Sequence, residues 1–167
     1  MALVTEKENT SSLNKETKTA FEKFLTFKLG AESYGITVLS IREIIQFQNI
    51  TPVPQMPDYV KGVINLRGKV IPVLDLRLKF CIGSSETTER TCIIVVQVES
   101  EVKGQTFVGL IVDAVEEVTN ILDSEIEDKP ELGNQVDHQY IMGIAKVKSE
   151  VKTLLHIERI ILEEAAL

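Results

Sequence analysis

The sequence predicts an all-β protein built from two small barrels. Hydrophobic residues make up 44% of the 167 positions, but aromatic residues only 5%, and tryptophan is absent. A core is therefore expected to consist mainly of Val, Ile and Leu, and the β-branched Val and Ile pack well on pleated sheets. Short apolar segments with partial alternation recur along the chain, and two blocks of them occur twice in the same order. These observations favour two similar β units.

The first half of the chain begins with a predicted tail and continues as strands. Residues 1–20 contain many charges and hydroxyls but little apolar surface, which predicts a flexible N-terminal tail. Segment 39–45 is ambiguous, because its isoleucines also fit helical spacing. Segment 49–58 contains three prolines and is predicted to be a loop. Strands are predicted over 23–29, 34–39, 59–66 and 70–76, the last two forming a hairpin around Arg67, Gly68 and Lys69, with Pro72 at an edge or a bulge.

The second half follows the same pattern and ends with helix-forming residues. Polar residues at 83–90 and the acidic stretch 123–139 are predicted to form loops. The C-terminal segment "IERIILEEAAL" predicts a short helix over about 157–166. Strands are predicted over 91–98, 106–118, 140–147 and 151–157.

An internal repeat explains this similarity between the two halves. The segment 59–76 aligns with 140–157 without gaps at an offset of 81 (140 minus 59), and 35–44 aligns with 109–118 at an offset of 74 (109 minus 35). Five strands per unit are too few for a stable flat sheet, so closure into a barrel is expected. At the turn, the second unit has Lys148, Ser149 and Glu150 where the first has Arg67, Gly68 and Lys69. The topology alone therefore does not require "NLRG" in the first unit, which favours a binding role for that tip.

The charges are divided into two opposite regions. The chain carries 18 basic and 25 acidic residues, a net charge of −7. Residues 113–131 hold eight acidic residues and one basic residue, whereas 61–79 holds five basic residues and one acidic residue. Two interpretations stay open, namely docking of charged protein surfaces and ordinary solvated faces. A net acidic protein is a poor general nucleic-acid binder, because phosphate neutralisation supplies much of that affinity.

The residues expected of an enzyme or a metal site do not form a motif. His138 lies in a polar loop and His156 in an apolar segment, without a metal-ligand spacing or a nucleophile in a motif beside them. Cys81 and Cys92 fit no metal or disulfide pattern, which favours a reduced cytoplasmic protein without cofactors. Segments of about 18 apolar residues are absent from the sequence. A non-catalytic binding protein is therefore predicted, with a generic peptide- or nucleic-acid-binding barrel and an enzyme as the alternatives.

Three segments together resemble the CheW family, the coupling or adaptor proteins of bacterial chemotaxis. They are "YGITVLSIREI", "YVKGVINLRGKVIPVLDLR" and "VGLIVDAVEEV", and the resemblance covers about residues 22–162. It implies two intertwined five-stranded barrels of the Src-homology-3-like type in a domain spanning 21–167, with subdomains at about 35–85 and 91–155 that exchange strands. The same module occurs in the kinase CheA and in CheV, and the length of this chain favours CheW itself.

The resemblance also implies partners and contact residues. The protein would be a cytoplasmic adaptor that joins chemoreceptor tips to the histidine kinase CheA and is recruited to membrane-associated receptor arrays. From the sequence alone, the core is the favoured place for Ile41 and Ile44. Gly62 could serve only to relieve strand crowding, and Cys92 stands where an aliphatic residue is familiar. The receptor-binding residues implied are Ile41, Glu43, Ile44, Arg67, Cys92 and Val115, and the kinase-binding residues are Gly62, Asn65, Leu66, Arg67 and Gly68.

Overall fold

The computed structural model describes residues 20–82, 86–128 and 138–164, and the predicted tail lies almost entirely outside them. These residues form eleven strands and two short α-helices. The helices are α1 (Leu76–Lys79) and α2 (Ile157–Glu164). The strands are β1 (Phe21–Leu29), β2 (Glu32–Thr37), β3 (Ile41–Gln46), β4 (Val60–Leu66), β5 (Lys69–Asp75), β6 (Cys92–Ser100), β7 (Gly104–Val112), β8 (Ala114–Leu122), β9 (Ile126–Glu127), β10 (Ile141–Val147) and β11 (Glu150–Leu155).

The strands form two sheets that exchange hairpins between the repeated units. Sheet 1 has the order β8-β1-β2-β11-β10-β9, and sheet 2 has the order β3-β6-β7-β5-β4. Sheet 1 therefore combines the β1–β2 hairpin of the first unit with β8 to β11 of the second unit. Sheet 2 combines the β6–β7 hairpin of the second unit with β3 to β5 of the first unit. The predicted all-β architecture of two intertwined barrels and a short C-terminal helix is confirmed, with the two-residue β9 as a sixth strand in sheet 1.

The repeat predicted at an offset of 81 is present in the backbone. Both later hairpins contain a register shift at the same place, before Gly62 and before Gly143. Both turns have two successive residues with positive φ, 51° and 86° in the first unit and 51° and 69° in the second. Such pairs are typical of type I′ turns, whose twist matches that of the strands. Because Ser149 adopts the conformation of Gly68, the turn geometry alone does not require glycine.

Three apolar clusters explain why the units cannot separate. The largest combines residues of both sheets with α2, including Phe27, Ile94 and Ile160. The second lies within sheet 2 around Ile71 and Val95, and the third lies within sheet 1. A small barrel has a thin core of its own. The shared cluster therefore supplies the apolar burial that keeps the two barrels together.

Two local predictions were resolved by pairing across strands. Segment 39–45, which was ambiguous, forms a short 3₁₀ turn followed by β3, because β3 pairs with the strongly apolar β6. The strand that contains Pro72 is not an edge strand, since β5 lies between β7 and β4. However, the parallel pairing of β5 with β7 begins one residue later, at Val73. Pro72 thus sits where the absent N–H is not needed for that ladder.

Candidate functional site

The outer strands β3 and β8 present apolar side chains on the face that the two sheets share. Paired residues lie on the same side of a sheet. Ile41 and Ile44 pair with Val96 and Ile94, which belong to the shared core. On β8, Val115 and Val118 pair with Phe27 and Leu25 of the same core. We call the set Ile41, Ile44, Cys92, Val115 and Val118 the intersheet surface.

This surface is only partly covered by the protein itself. Ile41, Cys92 and Val115 are half-buried against the shared core, but Ile44 is 45% exposed and Val118 is 57% exposed. Ile44 and Val118 occupy equivalent positions of the repeat, at the offset of 74 (118 minus 44). Two matching apolar edges therefore flank the junction of the sheets, and this arrangement suits the binding of an apolar helix face.

Cys92 and Val115 are brought into contact at this junction. Burial raises the pKa of the Cys92 thiol, and a hydrogen bond from the backbone of Val115 offsets part of that effect. Only the thiolate is a strong nucleophile. Cys92 is thus a packed thiol that contributes apolar surface rather than a reactive group.

We expect iodoacetamide at pH 8 to alkylate Cys81 several-fold faster than Cys92, because burial raises the pKa of the Cys92 thiol and shields its sulfur from the reagent. Cys81 is exposed, whereas Cys92 is half-buried. Mass spectrometry of peptides from timed samples measures both rates, and the protein unfolded in urea provides the control in which the rates converge. Equal rates in the folded protein would contradict the burial of Cys92.

Glu43 and Arg67 form a bidentate ion pair on the opposite face of sheet 2. The Arg67 guanidinium donates to both carboxylate oxygens of Glu43, at 2.7 and 2.9 Å. Glu43 pairs with Val95 of the second cluster, so it does not share the face of Ile41 and Ile44. The pair connects β3 with the turn after β4, and these are the two outer strands of sheet 2. It therefore joins the open edges of this barrel.

The residues predicted to contact the kinase all lie on β4 and its turn. Asn65 is exposed, and its side-chain oxygen accepts a hydrogen bond from the N–H of Gly68 at 2.9 Å. Leu66 packs against the second cluster, and the Arg67 side chain is 77% exposed. Gly62 lies against the backbone of Thr51, where a Cβ would be 2.7 Å from the Thr51 carbonyl carbon. This close approach explains a glycine at position 62 without any role in kinase binding.

The second unit contains an equivalent ion pair that the sequence interpretation did not single out. Lys148 donates to Glu117 at 3.0 Å, and it occupies the position of Arg67 in the repeat, as Glu117 occupies that of Glu43. This pair connects β8, an outer strand of sheet 1, with the turn between β10 and β11. The two alignments contained the necessary signal, since both members of the pair could be read from the offsets of 74 and 81.

The opposite charge regions are partly neutralised by internal contacts. Arg77, from the basic region, is buried and binds Asp75 and Asp113 at 2.9 Å each. Glu116 and Glu117, from the acidic region, bind lysines of the second unit. The surface charge available to a partner is accordingly smaller than the sequence totals suggest.

The described part of the chain holds no group of three or more His, Cys, Asp or Glu residues placed to bind a metal ion. His138 begins a 3₁₀ turn, and His156 precedes α2. No helix within the described ranges is long and apolar enough to cross a membrane.

Comparisons with known proteins agree with this architecture. The family model described as "CheW-like domain" matches residues 23–165. The chain belongs to the CheW-like domain family. Two relatives are the chemotaxis protein CheW of Klebsiella aerogenes, 34% identical and covering 88% of this chain and 86% of the relative, and that of Bacillus subtilis, 36% identical and covering 81% and 82%.

A solved CheW structure has the same fold. The scaffolding protein TtCheW from Thermoanaerobacter tengcongensis superposes with a TM-score of 0.74 at 34% identity, covering 83% of this chain and 86% of that one. The predicted CheW resemblance is thereby confirmed, and the protein is a chemotaxis adaptor or scaffold. The roles of individual residues in binding stay predictions.

Proposed function

We propose that this member of the CheW-like domain family is a non-catalytic, cytoplasmic adaptor that couples chemoreceptor tips to the histidine kinase CheA in membrane-associated receptor arrays. It needs no cofactor and binds no nucleic acid in this role. It acts by holding two proteins in a fixed relation, so that the state of one can bias the activity of the other.

The receptor tip binds the intersheet surface in this proposal. Support comes from its two exposed apolar edges, Ile44 and Val118, which continue the shared core outward. A helix that packs its apolar face there buries these side chains at a cost in ordering smaller than that of a mobile loop. Ile41, Cys92 and Val115 are the half-buried residues of this surface. Glu43 precedes Ile44 on β3 and lies on the opposite face of sheet 2.

The CheA regulatory domain binds the β4–β5 tip in this proposal. Support comes from its exposed Asn65 and Arg67 and from the open space around Gly68, where a partner backbone can approach closely. Leu66 anchors the tip on the second cluster, and Gly62 shapes β4 behind it.

The observation that carries the proposal is the ion pair between Glu43 and Arg67. Glu43 is on the strand that forms one edge of the intersheet surface, and Arg67 is at the tip assigned to the kinase. If the receptor displaces Glu43, or the kinase displaces Arg67, the ion pair transmits the displacement to the other residue and changes its contacts. This direct connection offers a short physical path between the two binding sites.

Reversing the charge at Arg67 tests this path. Arg67→Glu breaks the ion pair with Glu43 and reverses the charge at the tip assigned to the kinase, where a like-charge contact across an interface would cost several kcal/mol. We expect roughly tenfold or greater loss of receptor control over CheA phosphorylation in vesicles that contain receptor, kinase and adaptor. Co-sedimentation with receptor vesicles alone and with CheA alone shows which contact is lost.

Lys148→Glu is the matched control, because it reverses the charge at the equivalent turn of the second unit. Both variants should fold normally, since exposed ion pairs contribute about 1 kcal/mol or less. Full receptor control and normal assembly with Arg67→Glu would refute the assignment of Arg67.

A further inference from the structure

A lysine is buried in sheet 1 at a position where the first unit has an isoleucine. Lys152 on β11 is 2% exposed, and Ile71, its equivalent at the offset of 81 (152 minus 71), is 3% exposed. Lys152 pairs with Ala145 on one side and with Ser33 on the other, and both are buried. Its aliphatic stem therefore occupies space that an apolar side chain fills in the other barrel.

The ammonium group of Lys152 connects two strands. It donates to both carboxylate oxygens of Glu116 on β8 at 3.3 Å and to Glu150 on its own strand at 2.9 Å. Burial alone would lower the pKa of Lys152. The hydrogen bonds to Glu150 and Glu116 and the charges of these two carboxylates together outweigh that effect, so the pKa is raised. The lysine is thus held in its charged form.

Stability alone does not explain why a buried ion pair occupies this position. A buried ion pair usually contributes no more than well-packed apolar residues of the same volume, and Ile71 demonstrates that the unit folds with an apolar residue there. Buried charges are best known for selecting one register among several.

Glu116 lies on β8, and the pairing of β8 with β1 is irregular, so that more than one register has to be distinguished. The pairing of β1 with β8 shifts between Thr26 and Phe27, and the Thr26 hydroxyl donates to the Glu117 carbonyl at 3.1 Å within that irregularity. A slip of one residue moves every side chain of a strand to the other face. It would turn Val115 and Val118 away from the intersheet surface.

We propose that Lys152 is a positioning residue which, through Glu116, fixes the register of β8 and so keeps Val115 and Val118 on the surface that receives the receptor tip. The register part stands on the contacts of the described residues alone. The binding part rests on the proposed function, because it assigns the receptor to that surface.

The test uses the full chain with Lys152→Met, which keeps most of the side-chain volume and removes the charge. Nuclear Overhauser contacts report the register directly, through the pairs Val118–Leu25 and Val115–Phe27. We expect these contacts to weaken and the amides of β8 to exchange faster, while the other strands of sheet 1 stay protected. Affinity for a soluble helical-hairpin fragment of a receptor tip should fall about tenfold, the effect of losing interface anchors, whereas affinity for the CheA regulatory domain should change less than twofold.

Two variants separate register from general packing. Glu116→Gln removes the link to β8 but leaves the contact of Lys152 with Glu150, and it should reproduce the effect of Lys152→Met. Glu150→Gln keeps the link between Lys152 and Glu116 on β8 and should behave as the wild type. Lys152→Arg keeps the positive charge and should therefore retain the β8 contacts.

Unchanged β8 contacts and unchanged fragment affinity in both Lys152→Met and Glu116→Gln would overturn the inference. A register loss without any change in fragment affinity would overturn its binding part. If the wild-type chain itself did not bind the fragment, the proposed function would fail, and the β8 contacts would still decide whether Lys152 sets the register.

Discussion

Arg77→Ala is expected to lower the free energy of unfolding by about 3–5 kcal/mol, the usual cost of removing one member of a buried ion pair. Arg77 is 5% exposed. Its Nε and one terminal nitrogen donate to the two oxygens of Asp75, at 3.0 and 2.9 Å, and the other terminal nitrogen donates to Asp113 at 2.9 Å. The variant leaves the buried carboxylate of Asp75 and the partly buried carboxylate of Asp113 without the guanidinium.

Urea unfolding followed by circular dichroism measures this loss. Arg159→Ala is the matched control, since Arg159 is exposed and donates to the carbonyl of Gln139 at 3.1 Å. It should cost less than about 1 kcal/mol. Arg77→Lys keeps the charge but lacks the planar fork, so it should fall between the two. A change for Arg77→Ala no larger than that for Arg159→Ala would contradict the buried network.

The same network fixes how the two sheets are placed. Asp113 lies between β7 of sheet 2 and β8 of sheet 1, and its second oxygen accepts from the N–H of Gly30, between β1 and β2, at 2.6 Å. Arg77 follows β5 of sheet 2. Since the intersheet surface takes one edge from each sheet, its shape depends on this contact as well as on the shared core.

The repeated features of the fold could be predicted from the sequence because they depend on local patterns. Alternation located most strands, and the offset of 81 aligned two hairpins whose bulges and turns have the same geometry. Segment 39–45 could not be decided alone, since its isoleucines fit both helix and strand. The partner strand β6 decided it, and a partner across the sheet is invisible to local spacing.

The contacts that join distant segments could not be predicted. Arg77 and Asp113 are 36 residues apart, as are Lys152 and Glu116. Neither pair forms a short motif. Arg77, Asp113 and Glu116 belong to the two charge regions, whereas Lys152 lies outside both. Their roles follow from which strands the topology brings together, and the sequence offered only the unusual presence of a lysine opposite an isoleucine in the repeat.

The candidate site was predicted in part by resemblance and divided by the structure. The apolar residues implied for receptor binding lie on the intersheet surface, whereas the ion pair of Glu43 and Arg67 lies on the opposite face of sheet 2. Val118 was missed because a single exposed valine is unremarkable without its equivalent, Ile44, beside it. The repeat relates the two residues and makes them one feature.

Gly62→Ala is expected to lower the free energy of unfolding by about 3–5 kcal/mol, which combines backbone strain with the loss of two hydrogen bonds. Gly62 has a φ of 141°. A Cβ there would lie 2.7 Å from the Thr51 carbonyl carbon and 2.9 Å from Cα of Pro52, and both are backbone atoms. The segment at Thr51 would have to leave the edge of β4, where it exchanges two 2.9 Å hydrogen bonds with Val63. The midpoint of urea unfolding measures the effect.

Gly68→Ala provides the control, because Gly68 also has a positive φ, 86°, but a Cβ would meet no atom within 4 Å. It should cost only the dihedral strain, about 1–2 kcal/mol. The comparison also distinguishes two explanations of why glycine occupies position 62. If Gly62 matters only where the kinase touches it, Gly62→Ala would leave the free protein as stable as Gly68→Ala. If the covering segment requires it, as the contact with Thr51 indicates, the isolated protein loses stability first, and any loss of kinase binding follows from the displaced edge of β4.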